Sequence, residues 1–148
     1  MKTISIILIL FLASCSYKVT KVFDGDTIEI KSGLTVKRIR LAGIDCPELS
    51  QKYGDSAKIK TAEICLNKSV TLIKIGSDKY GRSIAFVFVG QISVNKALLR
   101  LGYAWHYSYF DHSPELAGVE AEARIKHLGL WADKNPVEPY KFRNLKKY

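Results

Sequence analysis

The feature that most constrains the fold is a series of short strand-like segments followed by helix-like segments. Residues 19–23 and 27–31 flank an Asp-Gly-Asp turn. Residues 34–44 then alternate in side-chain parity, as a half-buried strand does. Two further strand-like segments follow at 70–75 and 83–89. The first half of the chain therefore predicts a small β-structure of about five strands.

Three helices are predicted between and after these strands. The first begins near Asp55, and the second has Ser93 as its N-cap and ends before Gly102. The third follows Ser113, with proline at its first position, and stops at Gly129. Five short strands with about three helices indicate an α+β fold built on an OB-type β-barrel, an architecture that often binds nucleic acids.

The beginning of the chain has the composition of an export signal. Lys2 is followed by an apolar segment at 4–12, which is shorter than the about 20 residues that a membrane-spanning helix needs. Small residues then precede Cys15. We predict that residues 1–14 are a lipoprotein-type signal peptide that is cleaved before Cys15, with an ordinary secretory signal as the alternative. Lipidation of Cys15 would leave the protein membrane-anchored in the periplasm or at the cell surface, and otherwise it would be secreted.

The rest of the chain suits one domain and a short tail. Its length of 148 residues is typical of a single domain, which we place at 15–135. Residues 136–148 contain two prolines and four basic residues, and we predict an extended basic arm there. Cys46 and Cys65 remain inside the domain, where a disulfide and two free buried thiols are equally open.

The net charge of +9 favours partners rich in phosphate or anionic membrane surfaces. A merely soluble basic surface would give the same charge. Charge alone therefore does not choose a function.

Charged residues stand in and beside the predicted strands, where a core would be apolar. Asp26 and Asp45 are hard oxygen donors of the kind that Ca²⁺ prefers, although water or substrate would have to complete the coordination. Arg40 precedes Asp45 on the same strand, and a guanidinium group matches phosphate oxygens two at a time. Glu48 follows a proline and could accept a proton from an attacking water. Arg82 adds a second arginine at a turn before a strand.

Each of these residues also has a plainer interpretation. Asp24 and Asp26 flank a glycine in a common turn, although Asp24 could also bind metal. Arg40 with Asp45 could be an ion pair, as could Arg82 with a nearby acid. It is the coincidence of all of them that favours a site for phosphodiester hydrolysis.

Several motifs in this chain resemble the staphylococcal nuclease (thermonuclease) family. In order they are DGDT at 24–27, RLAGIDCPE at 40–48, YG at 53–54, DKYGR at 78–82, VNKALLRLGYA at 94–104 and GLW at 129–131. The resemblance extends over residues 18–135 and implies an exported or lipid-anchored bacterial member of the family with an OB fold. The loop after Glu48 is shorter than in the type member of the family.

The resemblance implies a Ca²⁺-dependent nuclease that cleaves DNA and RNA with little sugar specificity and leaves 3′-phosphates. The implied metal ligands are Asp26, Asp45 and the backbone carbonyl of Cys46. The implied catalytic residues are Arg40, Glu48 and Arg82. In these roles the arginines would hold the phosphate and its transition state, and Glu48 would be the candidate general base.

The resemblance also implies a surface that contacts the nucleotide. The implied contacts are Lys79, Tyr80, Tyr107 and Tyr109. The family's tyrosine pair is spaced by two, and a gapless alignment instead places Ser108 and Phe110 at those positions. The register stays open here, as does the choice between stacking on a base and packing within the protein.

The expected partners are a DNA or RNA substrate and a membrane reached through Cys15. No obligate protein partner is indicated, and we expect a monomer. The main alternative is a non-catalytic OB-fold module that holds nucleic acid or another polyanion at the cell surface. The presence of all five key charged side chains argues against it. A weaker alternative is a lipoprotein whose basic face only contacts anionic lipid or a protein partner.

Overall fold

A computed structural model describes residues 16–145. In chain order its elements are β1 (Tyr17–Val22), β2 (Thr27–Ser32), β3 (Thr35–Leu41), β4 (Ile44–Asp45), α1 (Gly54–Cys65), β5 (Ser69–Ser77), β6 (Ser83–Val89), β7 (Ile92–Ser93), α2 (Val94–Arg100), β8 (Trp105–His106), α3 (Pro114–Ile125), a 3₁₀ helix (Gly129–Ala132) and α4 (Pro139–Leu145). The predicted signal peptide and Cys15 lie outside the described residues.

The five longer strands form a closed barrel. They pair in the order β3-β2-β1-β5-β6, and β3 also pairs with β6 in parallel, which joins the two ends of the sheet. All other pairs within this barrel are antiparallel. The prediction of an α+β fold on a five-stranded OB-type barrel is therefore confirmed.

The strand predicted at 34–44 is in fact two strands. The chain bends after β3 at Gly43, whose φ of 70° lies in the left-handed region that glycine adopts without strain. The residues that follow form β4, which pairs with β8 and not with the barrel. The bend turns Asp45 away from the line of β3.

Strand alternation places an apolar core inside the barrel. Its largest fully buried side chains include Val19, Ile28, Ile30, Ile39, Leu41, Val70 and Val87 from the barrel strands, and Leu98 from α2. One buried polar residue joins the helix to this core. Asn95 accepts a hydrogen bond from the Val87 amide (2.9 Å) and donates to the carbonyl of Ala42 (2.8 Å).

The three predicted helices are present, and the two serines predicted as N-caps cap α2 and α3. The third helix is shorter than predicted, because α3 ends at Ile125 and Gly129 begins the 3₁₀ helix. Ser93 accepts a hydrogen bond from the amide of Lys96, and Ser113 accepts one from the amide of Leu116. Both capping serines therefore satisfy amides of a first helical turn that lack intrahelical partners. In the described part of the chain, no helix is long and apolar enough to cross a membrane.

The tail differs from the prediction of an extended arm. Residues Pro139–Leu145 form α4, so the described residues contain four α-helices, one more than predicted. Proline fits the first turn of a helix because its missing amide would have no intrahelical partner there. The ring of Tyr140 also stacks on Tyr109, with centroids 4.2 Å apart. Tertiary contact of this kind stabilises a helix too short to persist alone.

Candidate active site

The charged residues identified in the sequence line one cleft of about 990 Å³ on the barrel. Asp26 lies just before β2, and Arg40 lies near the end of β3, directly opposite Thr27 in the strand pair. The parallel pairing of β3 with β6 brings Arg82, just before β6, to the same end of the barrel. Strand register therefore gathers residues that are far apart in sequence.

Arg40 bridges the two aspartates. Its Nη1 lies 2.9 Å from Oδ2 of Asp26, and its Nη2 lies 2.9 Å from Oδ1 of Asp45. Nη1 also donates to the carbonyls of Leu41 (3.2 Å) and Ile44 (3.0 Å). The ion pair that the sequence left as an alternative is thus present, and it extends to both aspartates.

Asp26 is buried and has several hydrogen-bond partners. Its Oδ2 accepts a hydrogen bond from the amide of Cys46 at 2.6 Å. Burial raises the pKa of Asp26 to about 7, although the guanidinium of Arg40 acts in the opposite direction. A carboxylate in this environment binds a proton more readily than an exposed one, and a nearby cation stabilises its ionised form.

The Asp-Gly-Asp segment is a tight turn packed against α1. Oδ1 of Asp24 accepts a hydrogen bond from the amide of Asp26 (3.0 Å), the bonding that favours aspartate in turns. A Cβ on Gly25 would lie 2.5 Å from Cβ of Cys46, so only glycine fits there. Thr61 of α1 donates to the carbonyl of Gly25 at 2.6 Å. These contacts hold Asp26 in place.

Glu48 lies on a short loop that is closed by two hydrogen bonds between Glu48 and Gln51. Its amide donates to Oε1 of Gln51, and its carbonyl accepts from the amide of Gln51, both at 2.8 Å. Gly54, at the start of α1, approaches so closely that a Cβ there would lie 2.0 Å from the Glu48 carbonyl oxygen. The start of α1 therefore determines where Glu48 stands.

Arg82 is held by an acid that the sequence reasoning had not assigned. Its Nε donates to Oδ2 of Asp78 at 2.6 Å, and Oδ1 of Asp78 accepts from the amides of Tyr80 and Arg82. Although burial of Asp78 acts against it, these hydrogen bonds hold the pKa of Asp78 below its usual value. The DKYGR motif thus contains both the arginine and the carboxylate that orients it.

Lys79 and Tyr80, which the family resemblance implied as nucleotide contacts, line the same cleft. The ring of Tyr80 is 72% exposed. The ammonium of Lys79 lies 5.1 Å from its centroid, and the guanidinium carbon of Arg82 lies 5.6 Å from it. An open ring beside two cations offers a face on which a base could stack.

The structure separates the aromatic candidates. Tyr107 and Phe110 line the cleft, and their ring centroids are 5.1 Å apart. Tyr109 is half-exposed and stacks on Tyr140. Ser108 is exposed. One residue of each pair proposed from the sequence therefore lines the cleft, Tyr107 of one pair and Phe110 of the other.

Arg143 is among the charged cleft residues that were not predicted from the sequence. Arg143 of α4 lies within 3.0 Å of Asp45 and 2.8 Å of Glu48. The tail was identified as basic, but nothing in its sequence distinguishes this arginine from its neighbours. Burial raises the pKa of Asp45 above its usual value, and Arg143 and Arg40 only partly offset that effect.

Cys46 and Cys65 are both free and buried, so these two residues form no disulfide. Burial raises the pKa of Cys46 well above its usual value and that of Cys65 to about 12. Neither thiol is therefore ionised near neutral pH, and both behave as small apolar core groups.

The donor set fits a cation that shares its shell with substrate. Among residues 16–145, no group of three or more His, Cys, Asp or Glu side chains could by itself hold a metal ion. Asp26 and Asp45 provide carboxylate oxygens on either side of the same guanidinium. Two hard carboxylates suit Ca²⁺ only where water, a backbone carbonyl or substrate oxygens complete its 6–8 ligands.

Comparison with known proteins agrees with this geometry. A family model described as "Staphylococcal nuclease homologue" matches residues 38–133. A relative from Haemophilus influenzae named "Uncharacterized endonuclease" is 36% identical over 131 residues, covering 88% of this chain and 74% of the relative. A relative of the same name from Escherichia coli O157:H7 is 37% identical, covering 87% of this chain and 85% of that protein. A protein from Shigella flexneri named "Micrococcal nuclease" is 33% identical, with coverages of 88% and 81%.

The closed OB-type barrel, the Arg-Asp-Asp cluster in its cleft and these relatives together indicate that the protein is a nuclease. The alignments with the three relatives cover 87–88% of the chain. The chain belongs to the staphylococcal nuclease family.

Proposed function

We propose that this protein is a Ca²⁺-dependent nuclease that hydrolyses phosphodiester bonds of DNA and RNA with little sugar specificity and leaves 3′-phosphates. Membership of the family means that the protein is a nuclease and thus a hydrolase. The proposal of a Ca²⁺-dependent mechanism is supported most by the presence of five charged residues in one cleft: Asp26, Asp45, Arg40, Glu48 and Arg82.

The metal would be held by Asp26 and Asp45, with the backbone carbonyl of Cys46 as a further ligand. When bound, Ca²⁺ would supply positive charge beside the oxygens of the reacting phosphate. The low exposure of Asp26 (7%) and Asp45 (1%) leaves little water around these carboxylates. Charge interactions there are stronger than at an exposed site.

Two side chains would then have separate roles in the reaction. Glu48 would take a proton from the attacking water as its oxygen bonds to phosphorus. Arg82 would donate hydrogen bonds to the phosphate oxygens as negative charge builds on them, with Asp78 holding its guanidinium in place. The bond from phosphorus to the 5′-oxygen would break, and that oxygen would take up a proton to give a 5′-hydroxyl.

The test is cleavage of single-stranded DNA, duplex DNA and RNA by the purified protein. The reactions are run with millimolar Ca²⁺ and with a chelator, and the product ends are then analysed. We expect cleavage only with Ca²⁺ and 3′-phosphate ends. Cleavage that persists in the chelator, or that leaves 5′-phosphates, would contradict the proposal.

The alternative of a non-catalytic nucleic-acid-binding module gives a different result in the same test. It predicts no product but tight binding that weakens steeply as salt is added. A protein that only contacts anionic lipid would show neither result.

We further propose that the protein is exported and anchored through lipid on Cys15, and that it acts as a monomer. The support is the sequence of residues 1–15, which lie outside the described structure. Metabolic labelling with a radioactive fatty acid should label the wild type and not Cys15→Ser. Equal labelling of both would contradict the anchor, and sedimentation of a dimer would contradict the monomer.

A further inference from the structure

The site contains a cationic group that lies outside the segment matched by the family model. That match ends at residue 133, whereas Arg143 is on α4. Arg143 lies 98 positions after Asp45 in the chain and nevertheless contacts it. Its presence in the cleft therefore depends on how the tail folds back across the barrel.

The guanidinium of Arg143 donates hydrogen bonds to Asp45, the proposed metal ligand, and to Glu48, the proposed general base. Its Nη2 donates to Oδ2 of Asp45 (3.0 Å), and its Nη1 donates to Oδ1 of Asp45 (3.0 Å) and to Oε1 of Glu48 (2.8 Å). Oδ1 of Asp45 also accepts from Arg40 at 2.9 Å. Both oxygens of Asp45 are thus engaged by guanidinium groups.

Two further contacts, one within α4 and one just before it, hold the tail near Asp45 and Glu48. The ring of Tyr140 stacks on Tyr109, with centroids 4.2 Å apart. Just before the helix, the carbonyl of Val137 accepts a hydrogen bond from Nε2 of Gln51 (3.1 Å). Gln51 belongs to the loop that carries Glu48. The tail is therefore attached beside the cleft at two points, Val137 and Tyr140, both of which precede Arg143 in the chain.

A divalent cation and this guanidinium cannot hold the same oxygens. The side chain of Asp45 is 2% exposed, so it has little access to water that could lie between the two positive groups. The side chain of Arg143 is 36% exposed, which leaves it an open side toward which it can move. A cation on Asp45 would repel the guanidinium groups already there. Of the two arginines on Asp45, Arg143 is the more exposed, at 36% against 14% for Arg40, and therefore has more room to move away.

We propose that Arg143 is an internal competitor of the catalytic cation. Its guanidinium neutralises Asp45 and Glu48 in the metal-free protein, and cation binding displaces it. This inference rests on the proposed Ca²⁺-dependent function. By linkage, removing Arg143 tightens cation binding, and cation binding in turn loosens the attachment of α4.

The first test is calorimetric titration of Ca²⁺ into the wild type, Arg143→Gln and Lys141→Gln. Lys141 is the matched control, because it lies on the same helix and pairs with Glu138 (3.2 Å) outside the cluster. We expect Arg143→Gln to lower the Kd for Ca²⁺ about 5-fold or more, which is the size of a typical coupling between two sites. Lys141→Gln should stay within about 2-fold, the small effect of an exposed charge.

The second test needs no variant. Hydrogen exchange of the amides at 140–145 is compared in the wild-type protein with and without Ca²⁺. We expect faster exchange with Ca²⁺, because the displaced arginine no longer holds α4 to the cleft. Exchange that is unchanged or slower would overturn the proposal.

The outcomes separate this inference from the proposed function. Ca²⁺ binding and Ca²⁺-dependent cleavage by the wild type, with an equal or higher Kd in Arg143→Gln, would overturn the competition alone. Failure of both the wild type and Arg143→Gln to bind Ca²⁺, with no cleavage, would overturn both.

Discussion

At the scale of single residues, the two arginines assigned to phosphate differ in how they are held. The side chain of Arg40 is 14% exposed and bonds to two buried carboxylates and two backbone carbonyls. The side chain of Arg82 is 27% exposed and pairs with Asp78. Removing one partner of a buried ion pair costs about 3–5 kcal/mol. Loss of Arg40 would therefore change stability as well as chemistry, whereas Arg82 can be tested more cleanly.

We predict that Arg82→Ala lowers kcat about 10²–10³-fold, the usual loss when a donor to the transition state is removed. The free energy of unfolding should change by at most about 1 kcal/mol, because the pair with Asp78 is near the surface. Single-turnover cleavage and urea unfolding measure the two effects.

Arg38→Ala is the control for Arg82→Ala. Arg38 lies on β3, and its guanidinium is 4.0 Å from the centroid of the Phe23 ring, outside the cleft. This variant should cleave at nearly the wild-type rate. If Arg82→Ala did so too, the role given to Arg82 would be wrong.

At the scale of elements, the start of α1 and the loop before it act as one unit. The amide of Gly54 donates to the carbonyl of Gln51, whose own amide donates to the carbonyl of Glu48. This chain of hydrogen bonds transmits any movement at the helix start to the candidate base.

We predict that Gly54→Ala lowers kcat by about 10²-fold, since a displacement of about 1 Å in a catalytic group has that effect. The added Cβ would lie 2.0 Å from the carbonyl oxygen of Glu48, so that loop must move. Stability should also fall, by about 1–3 kcal/mol. Gly118→Ala is the control, because nothing lies within 4 Å of a Cβ there. Equal kcat in the two variants would show that α1 does not position Glu48.

A second element-scale prediction concerns the junction of α2 with the barrel. Asn95→Ala should lower the free energy of unfolding by about 1–3 kcal/mol, because the amide of Val87 is left buried without its partner. Urea unfolding compares it with Asn135→Ala, an exposed site expected to change stability by at most about 0.5 kcal/mol. Similar losses in both would mean that Asn95 does not join α2 to β6.

The elements that could be predicted from the sequence are those determined by local signals. The capped helices α2 and α3 carry their own start signals at Ser93 and Ser113. The strand β4 has only two residues and depends on pairing with β8, where Ile44 faces His106. No local pattern reports a partner so distant in the chain. The helix α4 was missed for the same reason, because its stability comes from contacts with the cleft.

The residues of the candidate site likewise divide into those with a local sequence signal and those placed by long-range contacts. Asp26, Arg40, Asp45, Glu48 and Arg82 were found because they are charges in or beside strand-like segments and because they lie in motifs that resemble the family. Asp78 is the first residue of the DKYGR motif, and its ion pair with Arg82 could have been inferred from their separation of four residues. Arg143 could not have been found in this way, since its contacts with Asp45 depend on how the tail folds back across the barrel.

At the scale of the whole molecule, closure of the barrel assembles the site. The parallel pairing of β3 with β6 places Ile84 beside Arg40 and thereby brings Arg82 to the cleft. The net charge of +9 favours association of the molecule as a whole with phosphate-rich polymers. The cleft combines buried carboxylates with arginines, the groups to which the proposed function assigns the cation and the phosphate.

The most direct test of this account is the rate of DNA cleavage across a Ca²⁺ titration, for the wild type and for Asp26→Ala. We predict no cleavage by the wild type in chelator and a saturable rise with Ca²⁺. The midpoint for Asp26→Ala should shift to at least about 10-fold higher Ca²⁺, because even supporting groups of metal sites change affinity by that much. Cleavage in chelator, or the same midpoint in both proteins, would contradict the claim that these carboxylates form a calcium-dependent nuclease site.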